Sequence, residues 1–512
     1  MKEFFSKLGR KLTGRKGIGN TMTAVIIIAV VLINVIAYTV TTAFGLYLYS
    51  PVKTDMSISG NTDDLFAKAM SLDKKVQITF CYTEDKLETH ATGSFVLTTA
   101  REFEERYPDL IELRFVNLLT KRDQDGNSVV ADLDKYLSVD GVNLQQNSVI
   151  FESGEGEEWN CRVVTDMATS AGFVNFFILD SYANVVAYNG EEVMAAMISW
   201  VLTDNHPVVY FTQNHGETAD VAFSNLLVCA GYEVKTINLR KEEIPKDAGM
   251  IIISNPTSDF ELSVDNANVR GEINKLEDYL GKGGKLYVAL DPYVKELKNL
   301  EGLLKRWGIS LSGEVNENGV LVRNIVKESS EAITPDGYTF IATHADNAIA
   351  EKIREKVEAY GENSVLMSEV ARLELDSSLG AQPILVSGGS ATTHAGGKLT
   401  DKGGNYTLAA YSKRAAEDGK ESTVFVIPTA YITATDAFIS ETYSNKDFLY
   451  STLEVLFDSN SAPRGCNMVM YSSGILENLT MGKAKMFTAI ILAIPAALAV
   501  VGTIIIIRRK NR

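Results

Sequence analysis

Two uncharged apolar stretches, residues 23–46 and 487–507, bracket this chain of 512 residues and constrain everything between them. A helix needs about 20 apolar residues to cross a bilayer core, and both stretches reach that length. The first is too long for the apolar region of a cleaved signal peptide, about 7–15 residues. It reads instead as an uncleaved anchor, with Tyr47 and Tyr49 suited to the interfacial aromatic belt. The second is stopped by Arg508, Arg509 and Lys510, and Pro495 within it is tolerable in a membrane helix. Basic residues dominate both outer tails, residues 1–21 and 508–512. The positive-inside rule therefore puts both termini in the cytoplasm and the intervening chain on the other side of the cell membrane. Small residues in the second span, Ala493, Ala496, Ala497, Ala499 and Gly502, suit close helix packing.

Charge sharpens this division. The whole chain carries a net charge of −16, but without the two tails it has 39 basic and 64 acidic residues. An extracytoplasmic region that acidic is not built to bind nucleic acid or an anionic membrane face. The four cysteines (Cys81, Cys161, Cys229, Cys466) are far apart, so no CxxC metal or redox motif is present. They read as isolated buried thiols, with disulfides open in an oxidising compartment.

The extracytoplasmic region divides into two parts. Residues 50–190 predict a smaller N-terminal α/β domain. It has a strand over 75–82, a helix over 95–107, a strand over 111–117 and a hairpin turning at Gly154-Glu155-Gly156. A helix over 191–202 then leads into the second part, residues 191–485. Its first strand, 208–211, is short and wholly apolar, as expected of a strand buried on both faces. It ends in Thr212-Gln213-Asn214-His215-Gly216-Glu217, and a helical apolar stripe follows from Val221 to Val228. Further strands fall at 232–239, 250–254, 285–290 and 422–428, with helices over 268–279, 297–307 and 447–457. The pattern predicts a doubly wound (flavodoxin-like) parallel sheet of five strands. Its last strand arrives after an insertion at about 310–420, which reads as strands over 319–324 and 382–387, a helix over 349–360 and a Gly/Ser/Thr-rich loop at 387–404. Such sheets carry ligands at the carboxyl ends of their strands. That places Asn214, His215, Gly216, Glu217, Asn255 and Asp291 as candidate crevice residues for a ligand or partner.

Catalytic motifs are scarce. There is no GxxxxGK[ST] phosphate loop, so the chain is not itself a P-loop ATPase. Gly281-Lys282-Gly283-Gly284-Lys285 precedes a strand and reads as a helix C-cap. GxSxG and HExxH are absent, no pair of the five histidines has metal-ligand spacing, and no cofactor is implied. His215 with Glu217 is the one pair placed for acid/base work. A structural or partner contact is the favoured reading over catalysis, because fold position alone does not establish function.

Taken together, the parts resemble the GldG-like auxiliary proteins of ABC-type transport systems. The resemblance lies in the strand ending Asn214-His215-Gly216-Glu217, then Gly231-Tyr232-Glu233-Val234 and Ile244-Pro245-Lys246-Asp247-Ala248. It continues through Tyr279-Leu280-Gly281-Lys282-Gly283-Gly284-Lys285-Leu286, Asp291-Pro292 and Ser444-Asn445-Lys446-Asp447, and in the flanking spans. Asn214 stands where that family usually has glycine. The resemblance implies a non-catalytic membrane subunit working with a separate permease and a separate cytoplasmic ATPase, and no established catalytic residues. The alternatives are a membrane-anchored hydrolase using His215 and Glu217, or an envelope scaffold. The missing nucleophile and metal motifs weigh against the hydrolase.

Overall fold

A computed structural model describes residues 57–71, 74–136, 139, 143–167, 175–179, 184–217, 220–262, 270–440, 442–459 and 462–470. The two expected membrane spans, with Ala493, Ala496, Ala497 and Gly502, lie outside these residues. Among the described residues no helix is long and apolar enough to cross a membrane. The chain is mixed α/β.

The N-terminal part is a five-stranded sheet. Strand β1 (Val76–Phe80) leads through helix α1 (Gly93–Arg106) to β2 (Ile111–Asn117), parallel to it. Strands β3 (Val149–Ser153) and β4 (Asn160–Val164) form the expected antiparallel hairpin, and β3 pairs with the other edge of β1. Alternation sets the faces. Ile78 and Phe80 enter the main core, while Ile150 of β3 enters a smaller cluster with Val116, Leu133 and Tyr136. Helix α2 (Gly190–Val201) follows, apolar nearly all round. The core it fills runs without a break from Phe103 of α1 to Val209 of the next strand. The two sequence-defined parts therefore share one hydrophobic core.

The second part opens with β5 (Val208–Thr212), α3 (Val221–Cys229), β6 (Glu233–Ile237), β7 (Ala248–Ser254), α4 (Glu272–Gly281), β8 (Lys285–Ala289) and α5 (Lys298–Arg306). After these come β9 (Thr339–His344), α6 (Ala348–Glu358), β10 (Val365–Ser368), β11 (Ala381–Val386), β12 (Thr407–Ala415), β13 (Glu421–Ile427) and α7 (Asn445–Phe457). Five strands lie parallel in the order β6-β5-β7-β8-β13. Strands β5, β7, β8 and β13 are covered on both faces, which is why they read as nearly continuous apolar runs, whereas β6 lies at the edge with Lys235 and Thr236 exposed. Val209, Ile252, Tyr287 and Phe425 pack on the side of α3 and α7. Val208, Ile251, Leu286 and Val424 pack on the side of α4 and α5.

The insertion extends this sheet. Strand β12 pairs antiparallel with β13, and β11, β9 and β10 continue beyond it in that order. The stretch expected as a loop at 387–404 holds a hairpin, Thr392–Ala395 with Lys398–Lys402. Its strands are Thr- and Lys-rich, so they lack the apolar alternation that marks a strand in sequence. All four cysteines are free thiols. Burial pushes the pKa of Cys81 and that of Cys161 up to about 12, which leaves both poor nucleophiles.

Candidate functional site

The carboxyl ends of β5, β7 and β8 hold the residues singled out in the sequence, and the structure sends them in two directions. The end of β5 is locked to its neighbours. The Gln213 N–H donates to Ile237 O at 3.0 Å, and His215 O accepts from the N–H groups of Thr257 and Ser258 at 2.8 and 2.9 Å. Asn214 and Gly216 both adopt positive φ, +80° and +76°. A Cβ at Gly216 would lie 2.0 Å from Thr257 Oγ1, so glycine is required by both conformation and space.

This double turn folds the His215 ring back under the sheet end. The ring is fully buried and stacks on Phe260, centroid to centroid 3.8 Å. Its Nδ1 lies 3.0 Å from Glu217 Oε1 and its Nε2 lies 2.9 Å from Glu272 Oε2. Glu217 Oε2 also accepts the His215 backbone N–H, and Glu272 Oε2 accepts that of Glu261. Burial by itself would lower the imidazole pKa. The two carboxylates outweigh it and push the value up to about 9. Conversely, burial would raise the pKa of Glu217 and of Glu272, but the hydrogen bond with His215 holds each below the ordinary carboxylate value. The group is thus a buried imidazolium between two carboxylates, with Arg240 Nε 3.8 Å from Glu272. Both ring nitrogens are occupied and the residue is fully buried.

Asn255 and Asp291 turn the other way. They line a cavity of about 870 Å³ with Asn189, Glu192, Asp220 and Tyr431. His215 and Glu217 are not part of its wall. The cavity lies where strand order reverses between β5 and β7, the place at which open α/β sheets take ligands. Asp220 caps helix α3, its carboxylate accepting from the Phe223 N–H at 2.9 Å and from the Thr433 hydroxyl. The helix N-terminus, a ready anion site, is therefore already filled by the protein's own carboxylate. Burial raises the Asp220 pKa, against the opposing hydrogen bond from Thr433.

Sequence reasoning missed Asn189, Glu192, Asp220 and Lys446 as members of this wall. Glu192, 2% exposed, accepts from Lys446 Nζ, Tyr450 Oη and Asn189 Nδ2, each at 2.6 Å. Burial would lower the Lys446 pKa, but Glu192 outweighs it and raises the value. Glu192 and Lys446 are 254 residues apart, so no local pattern signals the pair. Asp220 did carry a signal: an Asp directly before an apolar helical run is a helix cap. Among the described residues no group of three His, Cys, Asp or Glu side chains could hold a metal ion.

No family model matches the chain, and no curated protein matches it. Among solved structures, the mmIFT52 N-terminal domain is similar at 14% identity and a TM-score of 0.35, over 49% of this chain and 97% of that one. PurLQS from Thermotoga maritima is similar at 13% identity and a TM-score of 0.27, over 49% of this chain and 99% of that one. A cytoplasmic protein from Salmonella typhimurium matches at 11% identity and a TM-score of 0.27, over 50% of this chain and 99% of its own. Likeness at this level assigns this chain neither a family nor an activity.

Proposed function

We propose that the protein is a membrane-anchored, non-catalytic auxiliary subunit of an ABC-type transport system. Its extracytoplasmic region is a GldG-like, flavodoxin-like doubly wound sheet with an N-terminal α/β domain, and its crevice takes substrate or an envelope partner. The observation that carries this reading is where the two ends of the described region meet. The N–H and hydroxyl of Ser59 both donate to Glu191 Oε1 at 2.6 Å, and the Asn467 N–H donates to Oε2 of the same carboxylate at 2.6 Å. Asn61 Nδ2 donates to Gly465 O, and Asn467 Nδ2 to Ser57 O. Val469–Met470 then pairs with Val185–Tyr188. One buried carboxylate thus gathers both ends of the described region, a geometry that suits a domain hung from two neighbouring spans.

The buried, doubly bonded His215 supports a non-catalytic role, since a hydrolase using it needs an imidazole that meets substrate. The test is a mild-detergent pull-down of the tagged protein from intact membranes, with its companions identified by mass spectrometry. Recovery of a multi-span permease and a P-loop ATPase is expected, and Gly502→Leu should weaken permease recovery. Recovery of the protein alone would overturn the subunit reading in favour of a scaffold or hydrolase.

A further inference from the structure

The chemistry of the crevice wall selects a ligand. Asn189, 3% exposed, donates through its amide nitrogen to Glu192, a carboxylate that can only accept. Its orientation is therefore fixed, and its carboxamide oxygen is left buried and without a partner at the wall of the cavity. The carboxamide oxygen of Asn255 is likewise buried and unpartnered. Asp291 accepts the Tyr293 N–H at one oxygen and has no basic partner within ion-pair distance among the described residues. The exposed ring of Tyr431 stands at the mouth of the cavity. Lys446, the one basic side chain among the described residues of the wall, is already matched by Glu192. Among the described residues the wall thus offers acceptors and uncompensated negative charge, and no free cation. Phe177, Leu226 and Phe438 supply an apolar flank. The volume, about 870 Å³, suits a small molecule.

We propose that this crevice binds an organic cation, an ammonium or guanidinium carried on a partly apolar body. Its charge is met by Asp291 and the Tyr431 ring, and its N–H groups supply the donors that Asn189 and Asn255 lack. A tyrosine face attracts such a cation, and a buried acceptor left unmatched favours a ligand that brings a donor. Phosphate and carboxylate ligands are disfavoured, because Asp220 already occupies the helix N-terminus and Asp291 repels them.

The inference rests on the crevice being a binding site and is tested apart from the transporter assignment. The probe is monodansylcadaverine, a primary amine on an aromatic body, titrated by fluorescence against the full-length protein in mild detergent. Dansylglycine, with a carboxylate on the same fluorophore, is the control. Saturable binding of the amine is expected, with dansylglycine at least about tenfold weaker. Asp291→Asn and Asn189→Leu should each weaken amine binding about tenfold, the loss of one charge-assisted or buried hydrogen bond. Equal binding of both dyes, or unchanged amine binding by Asp291→Asn, overturns the proposal. So does a signal that rises without saturation in parent and variant alike, which is micelle partition. Should Asn189→Leu fail to fold, Asp291→Asn, at the partly exposed mouth, still decides. Permease recovery without amine binding sinks this inference alone, and amine binding without a permease sinks the transporter assignment alone.

Discussion

The His215 clamp makes the protein's stability depend on pH in a direction that can be worked out. In the folded chain the imidazole pKa is raised from 6.5 to about 9. The folded state therefore holds this proton more tightly than the unfolded state does. The resulting stabilisation is fully present below about pH 6.5 and is lost as pH rises through about 9. At about 1.4 kcal/mol per tenfold change in proton affinity, it is on the order of 3 kcal/mol. The lowered pKa values of Glu217 and Glu272 express the same contacts from the other side, so they are not added to it. Their share is lost as pH falls through those depressed values. His215→Gln removes the cation and leaves two buried carboxylates facing each other. At pH 6.5 it should destabilise the fold by about 3–5 kcal/mol, the usual loss when one partner of a buried pair is removed. Urea titrations of the full-length protein in mild detergent, followed by tryptophan fluorescence at pH 6.5, 8 and 10, measure this. The gap between parent and variant should shrink by about 3 kcal/mol across that range. A constant gap would refute a charged imidazole, whatever its absolute size.

Gly216→Ala should cost about 1–3 kcal/mol through its positive φ and its collision with Thr257. A Thr257→Ala background should restore the steric part, read by thermal unfolding. Lys446→Met strands the Glu192 carboxylate and should cost about 3–5 kcal/mol, whereas Lys446→Met with Glu192→Met should cost less, read in the same urea titrations. Glu191→Ala releases Ser59 and Asn467, so limited proteolysis should cut faster within 57–62 and 462–470 while β5 to β8 stay protected.

Much of the sheet was legible in the sequence because its strands are buried on both faces. The runs at 208–211, 250–254, 285–290 and 422–428 contain little but apolar residues, and Gly231 and Gly284 punctuate the helices between them. The insertion was legible in part: the helix Ala348–Glu358 and the strands Leu321–Arg323 and Ala381–Val386 fall where the sequence puts them, and the rest does not. The order in which its strands join the sheet has no local pattern, and the Thr392–Ala395 hairpin has no apolar face to announce it. The site divides in the same way. Asn255 and Asp291 follow from position at the ends of parallel strands. His215 and Glu217 hold equivalent positions, yet the turn at Gly216 and a carboxylate 57 residues on, Glu272, draw the imidazole into the interior. Backbone sign at a single glycine and a distant acid decide that, and neither has a local pattern. The pairing of Glu192 with Lys446 is hidden for the same reason.

The pairing of β8 with β13 has a consequence for how the molecule is made. Lys285 of β8 lies beside Thr423 of β13, so the fifth parallel strand joins only after the whole insertion has emerged. Until then β8 presents an open edge of buried-type residues, the kind that invites mispairing. Closing so distant a contact is slow. Strands β12 and β13 are joined by a short hairpin through residues 416–420, so the last parallel strand has a local partner as well as a distant one. A deletion of residues 407–415 should leave β13 to find β8 without that local partner, seen as slower refolding followed by tryptophan fluorescence.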